Sequence, residues 1–131
     1  STSERSEAGI QVRASFMTAD CLFCKMVSGQ IKPDTVYEDS EVLAFRDINP
    51  QAPTHVLFVP RQAIATLNDL VAADAELIGR LVLAATAFAK SQQLADDGYR
   101  LVMNCNRHGG QTVFHLHLHL LGGRAMEWPP G

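Results

Sequence analysis

The sequence predicts an α+β domain with a five-stranded, mainly antiparallel sheet and two helices. Short apolar runs bounded by turn residues recur along the chain, as strands do. One long segment, about 74–93, repeats its apolar residues with helical spacing. Strands and helices do not alternate regularly, as a parallel sheet would require. At 131 residues the chain makes one domain with a single core, small enough that oligomerisation would add stability.

The elements follow in order. Asp20 is expected to cap a helix from Cys21 to Ser28, stopped by Gly29. Val36–Glu38 and Val42–Phe45 read as strands around an Asp39-Ser40-Glu41 turn. His55 to Val59 is a third strand, ended by Pro60. Leu77, Ile78, Leu81, Val82, Ala85, Phe88 and Ala89 mark the core-facing stripe of the second helix. Asp74 and Glu76 near its start and Lys90 near its end suit the helix dipole. Asp96-Asp97-Gly98 turns into strands 99–105 and 112–121. Residues 1–16 are polar and aperiodic and are expected to be a disordered extension or vector remnant, with one domain over 17–131.

Composition excludes several classes. A net charge of −3 and a pI near 5.9 argue against an electrostatic nucleic-acid binder. The longest apolar run, Leu81–Ala89, falls well short of the ~20 residues of a membrane helix. No signal-peptide pattern stands at the start, and three cysteines make a disulfide framework unexpected. A reducing, cytoplasmic setting fits.

The chemistry concentrates in His115-Leu-His117-Leu-His119-Leu-Leu. On a strand, residues two apart share a face, so this run would array three imidazoles ~6–7 Å apart along one side. Such a row can supply a nucleophile, an acid and a donor to a phosphate-bearing substrate. Metal ligation and plain solvation are the competing readings of the same residues. Upstream, Gly109-Gly110-Gln111-Thr112 forms a turn whose backbone can approach an anion closely, with Arg107 nearby. His108 reads as a solvent-facing turn residue.

The His115–Leu121 run resembles the signature of the histidine triad superfamily of nucleotide hydrolases and transferases. Ala44–His55, Gly98–Asn104, Gly109-Gly110-Gln111 and the tail Leu121–Gly131 are similar to its Hint branch, the nucleoside phosphoramidases. The resemblance begins near Asp20 and implies a dimerising, histidine-triad-like fold. It implies His117 as the nucleophile that forms a nucleotidyl-histidine. His119 would contact phosphate and help protonate the leaving group, His115 would support them, and His55 would join a hydrogen-bond relay. Asp47 would bind the ribose hydroxyls with Ile48 beside the sugar, while Leu22, Phe23, Met26 and Phe45 enclose the base. Asn104, Gly110, Gln111 and Thr112 would serve the phosphate end, and Trp128 would reach a partner subunit's site. Thr112 stands where the branch usually has serine, and Arg46 where some relatives carry histidine.

The implied activity is hydrolysis of adenosine or guanosine 5′-phosphoramidates to the nucleoside monophosphate (AMP or GMP) and an amine. It would be carried out by a homodimer without cofactor, nucleic acid or membrane. Two alternatives stay open: a dinucleoside polyphosphate hydrolase or nucleotidyl transferase of the same superfamily, and a nucleotide-binding regulatory protein.

Cys21-Leu-Phe-Cys24 is the remaining motif. C-x-x-C suggests zinc or redox chemistry. Some relatives hold structural zinc with such a pair, a triad histidine and a histidine three residues after a proline. Here that proline is Pro60 and the position holds Ala63, so one ligand is missing and no metal is expected. Cys105 has no evident partner in the sequence.

Overall fold

The computed structural model describes residues 21–131. The expected extension over 1–16 and the Asp20 cap lie outside the described residues. Helix α1 spans Leu22–Ser28, with the Cys21 sulfur accepting the Cys24 N–H at its start. Gly29 closes it in the left-handed region at φ 87°, where its N–H can turn back onto the helix carbonyls. Strands β1 (Thr35–Glu38), β2 (Val42–Arg46), β3 (Thr54–Pro60), β4 (Tyr99–Val102) and β5 (Leu118–Gly122) follow. Helix α2 spans Ala75–Ser91 and α3 is a single turn, Asn106–Gly109.

The five strands form one sheet in the order β1-β2-β3-β5-β4, and every neighbouring pair is antiparallel. The Asp39 carboxylate holds the first hairpin by accepting the N–H groups of Glu41 and Val42. Alternation along the strands divides the core in two. Val42, Ala44, Val56, Phe58, Leu118 and Leu120 face α2, where Leu81, Ala85 and Ala89 cover them. Leu43, Phe45, Leu57 and Val59 point to the opposite side and pack with Phe23 and Cys21 around α1. That second side carries the site.

Three expectations need correction. The segment between β4 and β5 is not a plain hairpin turn but contains α3, so the described residues hold three α-helices where two were expected. β4 stops at Val102 rather than reaching 105. Most consequential, the strand expected over 112–121 begins only at Leu118, so His115 and His117 precede it. Pro60 explains this end of the ladder. Proline has no N–H to donate, and its carbonyl is taken by the His115 ring at 2.6 Å. Leu116 donates instead to Ile64 at 2.7 Å, outside the sheet.

Candidate active site

A cavity of about 510 Å³ opens between α1, the end of β2 and the β5 approach. Its apolar wall is Leu22, Phe23, Met26, Phe45, Leu57 and Val113, a size and lining suited to a flat ring system. Its polar end gathers Arg46, Asp47, His55, His117 and His119, with Gly110 and Thr112 from the loop after α3. Ile48 lines the mouth and is almost fully exposed.

The backbone sets the tautomer of His117. Its Nδ1 lies 2.7 Å from the His115 carbonyl oxygen, which can only accept, so Nδ1 carries the hydrogen. In the neutral ring Nε2 is then the unprotonated nitrogen. Burial lowers the His117 pKa below its ordinary value; the His115 hydrogen bond and the Asp47 charge oppose this but do not reverse it. Phe23 meets the ring edge-on at 4.9 Å between centroids. A buried, neutral imidazole with a fixed free lone pair is a competent nucleophile.

His119 stands on β5 opposite Leu57, on the cavity side. Its ring centroid is 4.9 Å from that of His117, closer than an extended strand would hold them. His119 Nδ1 is 2.9 Å from His55 Nε2. Burial, with the neighbouring His117 and His55, lowers its pKa to about 4. Near neutral pH His119 is therefore a neutral hydrogen-bond donor rather than a stored acid. Its Nε2 is buried without a hydrogen-bond partner, alone in this among the side-chain atoms of the described residues.

His55 Nδ1 accepts the Gln51 N–H at 3.0 Å, and its Nε2 also lies 3.4 Å from Asp47 Oδ2. Burial keeps its pKa low although Asp47 pulls the other way. The other Asp47 oxygen accepts the Asn49 N–H at 2.8 Å, so Asp47 closes a turn as well as facing the cavity.

His115 does not reach the cavity. It is buried behind His117, with Nε2 donating to Pro60 and Nδ1 left as a bare acceptor 3.3 Å from Cys24 Sγ. Burial lowers its pKa too.

Other expected residues are placed differently. Gln111 does not line the cavity. Its amide oxygen accepts the Asn106 N–H, and its nitrogen donates to Ala65 and Val113, so the side chain fastens the loop instead of offering donors to phosphate. Asn104 is half-buried beside α3 and is not among the lining residues. Trp128 is 82% exposed and touches no part of this cavity, although Arg100 anchors the preceding Glu127 carbonyl at 2.9 Å. Gln51, Asn49, Leu57 and Val113 were missed. Leu57 was legible, being two residues from His55 on one strand; the Gln51 backbone contact left no signal.

Cys21, Cys24 and His115 converge closely enough to share a metal ion. The sulfurs of Cys21 and Cys24 are joined as a disulfide, against the expectation of none, and Cys105 is the free cysteine. A disulfide supplies no thiolate, and position 63 is Ala63, so these donors as they stand do not fit zinc. Asp47, His55 and His119 also converge, but the His55 nitrogen that faces the other two carries a hydrogen.

The HIT domain family matches residues 28–126. The purine nucleoside phosphoramidase of Escherichia coli K12 is 49% identical over 110 residues, 84% of this chain and 92% of that protein. A 14 kDa zinc-binding protein of Zea mays is 47% identical over 112 residues, covering 84% of this chain and 87% of that one. The crystal structure of a HIT family hydrolase from Legionella pneumophila superposes with a TM-score of 0.84 at 54% identity, over 86% of this chain and all of that one. With a family match over residues 28–126 and relatives near half-identical over more than four fifths of its length, this chain belongs to the HIT domain family.

Proposed function

We propose that this protein hydrolyses the P–N bond of purine nucleoside 5′-phosphoramidates, releasing a nucleoside monophosphate and an amine. The observation that carries the proposal is the His117 tautomer, fixed by the His115 carbonyl at the edge of a nucleotide-sized cavity. The phosphoramidase relative supports the substrate class.

His117 Nε2 attacks the α-phosphorus, a P–Nε2 bond forms, and the P–N bond to the amine breaks. The departing nitrogen takes up one proton from solvent, and the water of the second step gives one back. Water then attacks the same phosphorus, the P–Nε2 bond breaks, and the neutral imidazole returns. His119 Nε2–H is the unspent donor for the phosphoryl oxygens or the departing nitrogen. A phosphoryl anion beside it would offset the desolvation that lowers its pKa.

The base lies against Leu22, Phe23, Met26 and Phe45, and the ribose hydroxyls meet Asp47 beside Ile48. Gly110 and Thr112 face the phosphate from the loop. An apolar slot offers area but few directional contacts, so purines are preferred only modestly. The protein works as a cytoplasmic homodimer. β4 is an edge of the sheet, and its outer backbone groups are available for pairing across a two-fold axis.

Mass spectrometry of an acid-free quenched reaction with adenosine 5′-phosphoramidate tests the mechanism. A nucleotide adduct on the peptide containing His117 is expected. Turnover without such an adduct overturns it.

A further inference from the structure

The segment that leaves β5 is tied to the loop that sets His55. Gly123, at φ 92°, passes so close to that loop that a Cβ there would stand 2.9 Å from Pro53 Cβ. Arg124 follows, and its guanidinium bonds main-chain carbonyls: Nε donates to Gln51 at 3.0 Å and Nη1 to Ala125 at 3.0 Å. An exposed cation that gives its donors to neutral carbonyls holds geometry rather than balancing charge. The loop it grips has few anchors of its own. Pro50 and Pro53 have no N–H, so only Gln51 and Ala52 can donate from the main chain between them. The Gln51 N–H is the one that His55 Nδ1 accepts at 3.0 Å. Arg124 thus grips one peptide group of Gln51 while the adjoining peptide group holds His55.

The 2.9 Å contact between His55 Nε2 and His119 Nδ1 admits two arrangements. With Gln51 donating to His55 Nδ1, the His55 hydrogen sits on Nε2 and points at His119 Nδ1. The His119 hydrogen then stands on Nε2, the buried atom without a partner. With the Gln51 N–H withdrawn, the pair can reverse. His55 then carries its hydrogen on Nδ1, His119 donates from Nδ1, and His119 Nε2 becomes a bare acceptor that repels a phosphoryl oxygen. Asp47 Oδ2, 3.4 Å from His55 Nε2, favours the first arrangement by charge, so the second joins it rather than replaces it.

We propose that Arg124 is a positioning residue for His119. By holding Gln51 it keeps the His55–His119 pair in the arrangement that presents the His119 Nε2–H to the phosphoryl group. The kinetic consequence rests on the phosphoramidase reading given above; the tautomer does not.

The test uses Arg124→Met, which keeps most of the side chain's length and removes its donors. Long-range 1H–15N NMR of the histidine rings, without substrate and above neutral pH, is the first readout. In the wild type His55 and His119 should both carry hydrogen on Nε2. Arg124→Met should add a second form with both hydrogens on Nδ1, and Arg124→Lys, which keeps a donor, should suppress that form. With adenosine 5′-phosphoramidate, Arg124→Met should lose about fivefold in kcat, as expected for one hydrogen bond, while AMP affinity stays within about twofold. Wild-type tautomers in a folded Arg124→Met, or a loss confined to KM, overturn the proposal. A wild-type His55 that carries its hydrogen on Nδ1 overturns it without any variant, even should Arg124→Met fail to fold. Absence of phosphoramidate turnover in the wild type would defeat the substrate reading alone, because the NMR arm needs no substrate.

Discussion

His117 and His115 are joined backward along the chain: the His117 Nδ1–H donates to the carbonyl of His115, two residues earlier, at 2.7 Å. The His117 ring is thus oriented by main chain. The His115 ring in turn is pinned to Pro60, the last residue of β3, so the sheet and His117 share one anchor.

Replacing His117 with alanine should lower turnover by at least about 10³-fold while nucleoside monophosphate still binds. Steady-state kinetics with calorimetric AMP titration and a melting curve check this. Appreciable turnover in a folded variant removes His117 as nucleophile.

The histidine environments set the pH behaviour. Burial holds the pKa of His55, His115, His117 and His119 below the ordinary value in the folded state, that of His119 at about 4. Near pH 6 the unfolded chain therefore binds more protons than the folded one. Stability should be full above about pH 6.5 and fall as pH drops toward 4. Urea midpoints from pH 8 to 4 check this. For the same reason kcat/KM should keep its alkaline plateau down to below pH 6.5, because His117 stays neutral there. An acid limb starting above pH 7 would contradict a buried, neutral His117.

Gln111→Ala should destabilise the fold by about 2 kcal/mol, because it strips partners from the Asn106 N–H and from the Ala65 and Val113 carbonyls. Turnover should fall through displacement of Gly110 and Thr112. Gln111→Glu keeps the acceptor for Asn106 but places a charge against two carbonyls, and should be at least as damaging. Denaturant titrations of both variants decide whether this side chain fastens the loop.

Turnover should persist in excess chelator. The His115 tautomer also predicts that reductant does no harm: with Nε2 donating to Pro60, the bare Nδ1 gains a partner only when Cys24 is a thiol. Activity that is lost with EDTA and restored by zinc would make Cys21, Cys24 and His115 a metal site after all.

Much of this was legible because periodicity encodes it. Leu77 through Ala89 marked α2, and the five strands followed from short apolar runs with turn chemistry such as Asp39 and Gly98. What failed did so where a long-range contact overrode the local pattern. His115-Leu-His117-Leu alternates like a strand, yet Pro60 denies it a ladder partner and Ile64 captures Leu116. Gln111 looked like a ligand donor because its loop faces the cavity; its partners at Ala65 and Val113 depend on tertiary packing that no spacing reveals.

Removing the chain after Gly123 should change which amines leave well without abolishing cleavage of a simple phosphoramidate. Trp128 is 82% exposed, an unusual position for a tryptophan unless a second surface covers it. The tail is not loose: Arg100 on β4 donates to the Glu127 carbonyl at 2.9 Å, and Arg124 donates to the Gln51 carbonyl at 3.0 Å. Both anchors belong to the proposed assembly. Arg100 lies on the edge strand that would pair with a partner, and Gln51 supplies the N–H that fixes His55. In a homodimer paired through β4, each tail would start beside the dimer axis and could cover the partner's cavity, where the amine leaves. Ranking a series of amine leaving groups on full-length and truncated protein, with the oligomeric state measured for each, checks this. An unchanged ranking in a truncated protein that is still dimeric would make the tail structural only.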